Sequence, residues 1–168
     1  DRIYVTGTLG DAGLALRHRL GGIRLSEGEL AEAAARMDRP VPRVREGMML
    51  RGIAHSAIDI SDGLLADLGH ILKLSKIGAS LDWEAIPKLS TDKSIPAVTL
   101  QEATLGGGDD YELCFTAPES AHAQIIEIGK QLNIQLSCIG VTHHKHGLRV
   151  LDGDQTLEIK KAGYDHFK

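Results

Sequence analysis

The sequence predicts an α+β fold, and three features carry that expectation. Short apolar or alternating runs that read as strands are interleaved with stretches of helical periodicity. Their order is not the strict alternation of strand and helix that a purely parallel sheet requires. The 168 residues have ordinary globular make-up, 42% hydrophobic and 25% charged. That is enough for one domain burying roughly 70% of its extended surface without a disulfide or structural metal.

Each element has its own local reason. Residues 2–7 read as a strand closed by Thr6-Gly7-Thr8. A helix over 9–20 would place Leu9, Gly13, Leu16 and Leu20 on one face. Gly21-Gly22 ends it, since glycine takes the left-handed C-cap without a Cβ clash. Ser26 and Glu29 form an S-x-x-E capping box, and Leu30, Ala33, Ala34 and Met37 continue as a helical stripe until Pro40 and Pro42 stop it. Residues 56–60 alternate as a strand, and Ser61-Asp62-Gly63 breaks it. Leu64, Leu68, Ile71 and Leu72 then mark a helix reaching about residue 75, followed by a strand over 78–83. Residues 87–105, with Pro87, Pro96 and several Ser and Thr, read as irregular with at most a short helix. A Gly-Gly-Gly-Asp-Asp turn leads into a strand over 112–116. Ala121, Ile125, Ile128 and Leu132 mark another helix, and 135–141, 148–151 and 156–159 read as closing strands. Trp83 and Phe115 are expected in the core.

Composition excludes several function classes. The net charge is −4, from 19 basic and 23 acidic residues without a long run of either sign, which argues against a basic groove for nucleic acid. No apolar stretch approaches the ~20 residues of a membrane span. Cys114 and Cys138 fit no C-x-x-C pattern and read as buried thiols of a cytoplasmic protein. The P-loop, G-x-G-x-x-G, H-E-x-x-H and G-x-S-x-G signatures are absent. The chain starts at Asp1, already in a strand and without an initiator Met, so the expectation is a piece of a longer protein.

Two segments rise above this background. In Asp59-Ile60-Ser61-Asp62-Gly63, strand alternation sends Ile58 and Ile60 one way and Asp59 and Ser61 the other. Asp62 follows at the strand-to-helix turn, where backbone N–H groups are expected to be free. Hard oxygens suit Mg²⁺, and a helix start suits a phosphate. The bland reading is that Ser61 or Asp62 simply caps the helix, worth about 1 kcal/mol. It leaves Asp59 unexplained, because a charge flanked by isoleucines is costly to desolvate without a cation. The second segment is Gly106-Gly107-Gly108-Asp109-Asp110-Tyr111-Glu112. Consecutive glycines let N–H groups approach an anion, and the two Asp residues are potential metal ligands; a plain glycine turn is the simpler alternative. His143, His144 and His146 read as an exposed turn rather than a metal site. The terminal Gly163-Tyr164-Asp165-His166-Phe167 is unusually aromatic for a chain end.

Taken in order, IYVTGTLGDAGLAL (3–16), PRVREG (42–47), AIDISDGLLADLGHI (57–71), GGGDDYELCFT (106–116) and GYDHF (163–167) resemble the C-terminal half of the thiamine-monophosphate kinase family. That family is grouped with the aminoimidazole ribonucleotide synthetases and selenophosphate synthetases. The resemblance implies a three-layer α/β/α domain with a mixed sheet, spanning 1–168, with an N-terminal domain absent from this chain. It implies formation of thiamine diphosphate from thiamine monophosphate and ATP with Mg²⁺, in an enzyme that pairs as a homodimer through its N-terminal halves. Asp59 and Asp62 match the family's magnesium-binding aspartates, and Ser61 matches a serine contacting ATP. Asp109 matches a position contacting thiamine phosphate, and Tyr164 an aromatic of the substrate pocket. Gly106 and Asp109 stand where the family usually has Ser and Glu. A selenophosphate synthetase relative and a non-catalytic nucleotide- or thiamine phosphate-binding module are the alternatives.

That chemistry agrees with the acidic motifs. Donor and acceptor are both phosphates, and two unit charges 4 Å apart repel by about 4 kcal/mol at an effective dielectric near 20. Carboxylates relieve this only by holding divalent cations. A phosphate monoester is already nucleophilic near neutral pH, so no general base is expected.

Overall fold

The computed structural model describes residues 1–90 and 95–158. Among these, seven strands form one mixed sheet: β1 (Arg2–Thr6), β2 (Ser56–Asp59), β3 (Gly78–Asp82), β4 (Leu113–Ala117), β5 (Leu136–His143), β6 (Gly147–Asp152) and β7 (Gln155–Thr156). Their order is β2-β4-β1-β5-β3-β6-β7. Neighbours run antiparallel except β3 and β6, which are parallel.

Strand β1 shows how the sheet divides the core. Ile3 and Val5 share one face and join Leu64, Leu68, Ile71 and Leu72 of α4 (Leu64–Ser75). Tyr4, between them, faces the other way and joins Phe115 with Ile125 and Ile128 of α6 (His122–Leu132). The Tyr4 and Phe115 rings stack at 5.2 Å. Burying each such apolar side chain contributes about 1.5–3 kcal/mol, so alternation alone commits the two faces to separate helical layers. A further cluster unites α1 (Asp11–Arg19), α2 (Glu27–Asp38) and α5 (Ala97–Gly106) through Leu14, Ala15, Ala33 and Ala103. Helices therefore cover both faces of a mixed sheet, as the α+β expectation requires.

Several local expectations hold. Ser26 and Glu29 make the reciprocal capping box of α2. Trp83 and Phe115 are buried. Gly21, with φ +77°, follows the end of α1, and its N–H donates to the His18 carbonyl.

Others are corrected. Helix α1 starts at Asp11, after Gly10 in a left-handed conformation, and buries Ala12, Leu14 and Ala15. Leu16 and Leu20 of the expected face are exposed, because packing against α2 and α5 selects the side. Residues 87–105 are not merely irregular: α5 has ten residues, opens after Pro96 and buries Ala103, Thr104 and Leu105. Proline suits a helix start, but the apolar residues of α5 form no single stripe. A short helix, α3 (Val44–Met49), was not expected; Val44 and Met48 are exposed, so it shows no buried periodicity. The final strand is Gln155–Thr156, and residue 159 of the expected run lies outside the described residues. Cys114 is buried but Cys138 only half-buried, and both are free. Burial pushes the Cys114 thiol up to about 12. Among the described residues no helix is long and apolar enough to cross a membrane.

Candidate functional site

Pairing between β2 and β4 continues past the ends of both strands. The Ile60 N–H donates to the Glu112 carbonyl at 2.7 Å, and the Tyr111 N–H donates back to Ile60 at 2.9 Å. One step further on, the Asp109 N–H donates to the Ser61 carbonyl at 3.0 Å. The two motif segments, about fifty residues apart in sequence, thus lie side by side at the sheet edge.

This closeness explains the glycines. A Cβ on Gly108 would stand 2.3 Å from the Ser61 carbonyl oxygen. One on Gly63, whose φ is +116°, would stand 2.9 Å from the Gly106 carbonyl carbon. The run serves to bring two backbones together, and the Gly107 N–H is taken by the Ala103 carbonyl at 3.0 Å.

Alternation along β2 is as expected: Ile60 is buried and Ile58 packs on the same cluster. Asp59 points away from it and is exposed. The expected desolvation penalty on Asp59 is therefore corrected, and its interest rests on its position alone.

The free N–H groups expected at the start of α4 are not free. The Asp67 Oδ2 accepts from the N–H groups of Ser61, Asp62 and Gly63 at 3.0, 3.0 and 3.1 Å. Neither Ser61 nor Asp62 caps the helix. Gly63 occupies the N-cap position without a side-chain bond, and the buried Asp67 satisfies the turn from inside the helix. Burial raises the Asp67 carboxyl above its ordinary range, and the three N–H donors pull in the opposite direction. Sequence reasoning missed this residue. An acidic group in the first turn of a helix is the signal that marks it.

Around the glycine run, side chains diverge. Asp109 is exposed with φ +68°, and Tyr111, with φ +51°, donates its hydroxyl to Asp109 Oδ1 at 3.1 Å. Asp110 turns inward and its Oδ2 accepts from the Gly10 N–H at 2.8 Å. Its other oxygen is buried without a partner, and burial raises its carboxyl well above the ordinary range. Asp110 thus anchors the start of α1. Glu112 is also buried; it accepts from Thr6 Oγ1 and takes Arg43 Nε and Nη2 at 2.6 and 2.5 Å. Charge-assisted, two-pronged pairing of this kind holds geometry as well as charge.

Asp59, Ser61, Asp62 and Asp109 therefore sit on two backbone-bonded runs, while Tyr164 lies outside the described residues. Among the described residues no three His, Cys, Asp or Glu side chains converge as a metal cage. Mg²⁺ characteristically takes one or two carboxylates and fills its remaining positions with water and phosphate oxygens, and Asp59 and Asp62 carry donors of that type. His144 and His146 are exposed in a turn as expected, whereas His143 ends β5 and is half-buried against Ser80 at 3.2 Å, which corrects its place in that turn.

Comparison with known proteins shows the family. The family profile described as "AIR synthase related protein, C-terminal domain" matches residues 1–153. The thiamine-monophosphate kinase of Salmonella typhimurium is 42% identical over 173 residues, covering 99% of this chain and 52% of that protein. The crystal structure of thiamine-monophosphate kinase from Stenotrophomonas maltophilia is 37% identical with a TM-score of 0.80, covering 89% of this chain and 49% of that one. AaThiL, complexed with AMPPCP and TMP, is 26% identical with a TM-score of 0.74, covering 99% of this chain and 51% of its own. The chain spans about half the length of the curated relatives it matches. With a matched profile over most of its length and the same fold as these structures, the chain belongs to the AIR synthase related protein family, whose C-terminal domain it forms.

Proposed function

We propose that this chain is the C-terminal domain of a thiamine-monophosphate kinase, transferring the terminal phosphoryl group of ATP to the phosphate of thiamine monophosphate. The observation that carries the proposal is the backbone pairing of the 59–63 and 106–112 segments. It brings the segment that carries Asp59, Ser61 and Asp62 against the segment that carries Asp109. The kinase names of the relatives and the AMPPCP and TMP bound by AaThiL support the same assignment.

Each residue then has a task. Asp59 and Asp62 hold Mg²⁺ through hard carboxylate oxygens, and Ser61 contacts ATP from between them. Asp109 contacts thiamine monophosphate, with its carboxylate oriented by the Tyr111 hydroxyl. Tyr164 contributes an aromatic wall. Bound Mg²⁺ would offset the charge of the two phosphates and draw their oxygens together. The acceptor phosphate supplies the nucleophile, so no side chain is assigned as a general base. The remaining acidic ligands and part of the ATP site are assigned to an N-terminal half of the same enzyme, which forms a cytoplasmic homodimer.

The test is a coupled assay on the full-length enzyme with ATP, Mg²⁺ and thiamine monophosphate. Thiamine diphosphate formation is the expected result. Turnover with selenide instead, or calorimetric binding of the ligands without turnover, would overturn the assignment.

A further inference from the structure

The 59–63 run has an unusual internal partner. Three consecutive N–H groups, those of Ser61, Asp62 and Gly63, converge on one oxygen of Asp67. Such a set of parallel N–H groups is what a phosphate ordinarily seeks. Here the anion is supplied by the chain itself, four to six residues further on. Asp67 is itself buried, on a helix whose Leu64, Leu68 and Leu72 are locked into the core. Its carboxylate is therefore fixed in space by packing, and it fixes the loop in turn. The same loop is held from its other side by the Asp109 and Tyr111 N–H groups. The carbonyls of Ile60 and Ser61 are thus bound by one segment and the next three N–H groups by Asp67. Backbone freedom is removed on both sides of the residues that carry Ser61 and Asp62.

We propose that Asp67 is a positioning residue for the proposed metal and nucleotide site: it touches no ligand, and it sets the direction in which Ser61 and Asp62 project by holding their N–H groups. The inference rests on the function proposed above. Asparagine at this position would keep the shape but lose the charge, and its NH₂ group would compete for the place facing three donors. Outer-sphere groups of this type typically change metal affinity or activity by roughly 10- to 100-fold when replaced.

The test uses the full-length enzyme with Mn²⁺ as the probe, read by electron paramagnetic resonance in the presence of AMPPCP, alongside melting temperature and steady-state kinetics. Three variants are compared: Asp67→Asn, Asp67→Glu, which keeps the charge but adds a methylene, and Leu68→Ala, a core truncation of the same helix that touches no loop N–H. The expected result is that both Asp67 variants weaken Mn²⁺ binding about tenfold or more and lower kcat. Leu68→Ala should lower the melting temperature at least as much while leaving Mn²⁺ affinity unchanged. If Asp67→Asn fails to fold, Asp67→Glu carries the comparison. Wild-type Mn²⁺ affinity in the folded Asp67 variants would overturn the proposal, and so would an equal loss in Leu68→Ala. A wild-type enzyme that binds Mn²⁺ but does not phosphorylate thiamine monophosphate would overturn the assigned reaction and leave the positioning role standing. One that binds no Mn²⁺ overturns both.

Discussion

Asp59 and Asp110 are both aspartates of the motif segments, yet the fold treats them in opposite ways. Asp59 is exposed on an edge strand, so losing its charge disturbs little packing. Asp59→Asn in the full-length enzyme should lower kcat at least as far as the roughly 10- to 100-fold typical of groups standing behind metal ligands and shift stability by no more than about 0.5 kcal/mol. Kinetics and a thermal melt on the same sample check both halves. Asp110 is half-buried with its carboxylate turned inward, one oxygen on the Gly10 N–H and the other buried and unpartnered. Burial raises its carboxyl well above the ordinary value. The folded chain therefore holds this proton at pH values where the unfolded chain releases it. The associated stability is complete below the ordinary carboxylate range and is lost as pH climbs through the raised folded value. Asp110→Asn keeps an oxygen for Gly10 and has no proton to lose. Its melting temperature should fall less than that of the wild type on going from about pH 4 to pH 8. A steeper fall would show that Asp110 stabilises the fold as a charge.

At the scale of elements, the sequence was most legible where one local rule acted without competition. The capping box of α2 is such a case: Ser26 and Glu29 satisfy each other's backbone in the way the spacing implies. Ser26→Ala should cost about 1 kcal/mol, lowering the melting temperature by roughly 2–4 °C while leaving turnover unchanged. Legibility failed where a neighbouring element decided. Helix α1 buries Leu14 instead of Leu16 because α2 and α5 lie on that side. Helix α5 was expected as at most a short helix because it packs against neighbours in more than one direction, so no period of 3.6 survives in its apolar residues. In the candidate site, residue types and their order could be read directly, but the occupant of the N–H groups could not. Asp67 acts across a turn, and Asp110 and Asp109 are adjacent in sequence yet face different surroundings. Gly108 tests the packing that only the structure shows. Gly108→Ala would force a Cβ to within 2.3 Å of the Ser61 oxygen. Relief by backbone movement should cost about 1–3 kcal/mol and, unlike Ser26→Ala, should also lower turnover.

For the whole molecule, the sheet order places the candidate site at one margin. Among the described residues β2 pairs only with β4, so it forms a margin of the sheet, and Asp59 on it is exposed. That placement suits a site completed by another half of the same enzyme. The 168-residue chain alone should accordingly give no thiamine diphosphate above the enzyme-free blank, while the full-length enzyme turns over. Sustained turnover by the chain alone would show that the acidic groups here suffice.

The carboxylate of Asp67 has one more consequence. Because it already stands where an incoming anion would otherwise be needed, the shape of the 61–63 corner is settled when the chain folds and does not wait for cargo. The entropy of freezing that corner is then charged to folding rather than to each encounter with a substrate, and the side chains it carries are aimed before anything arrives.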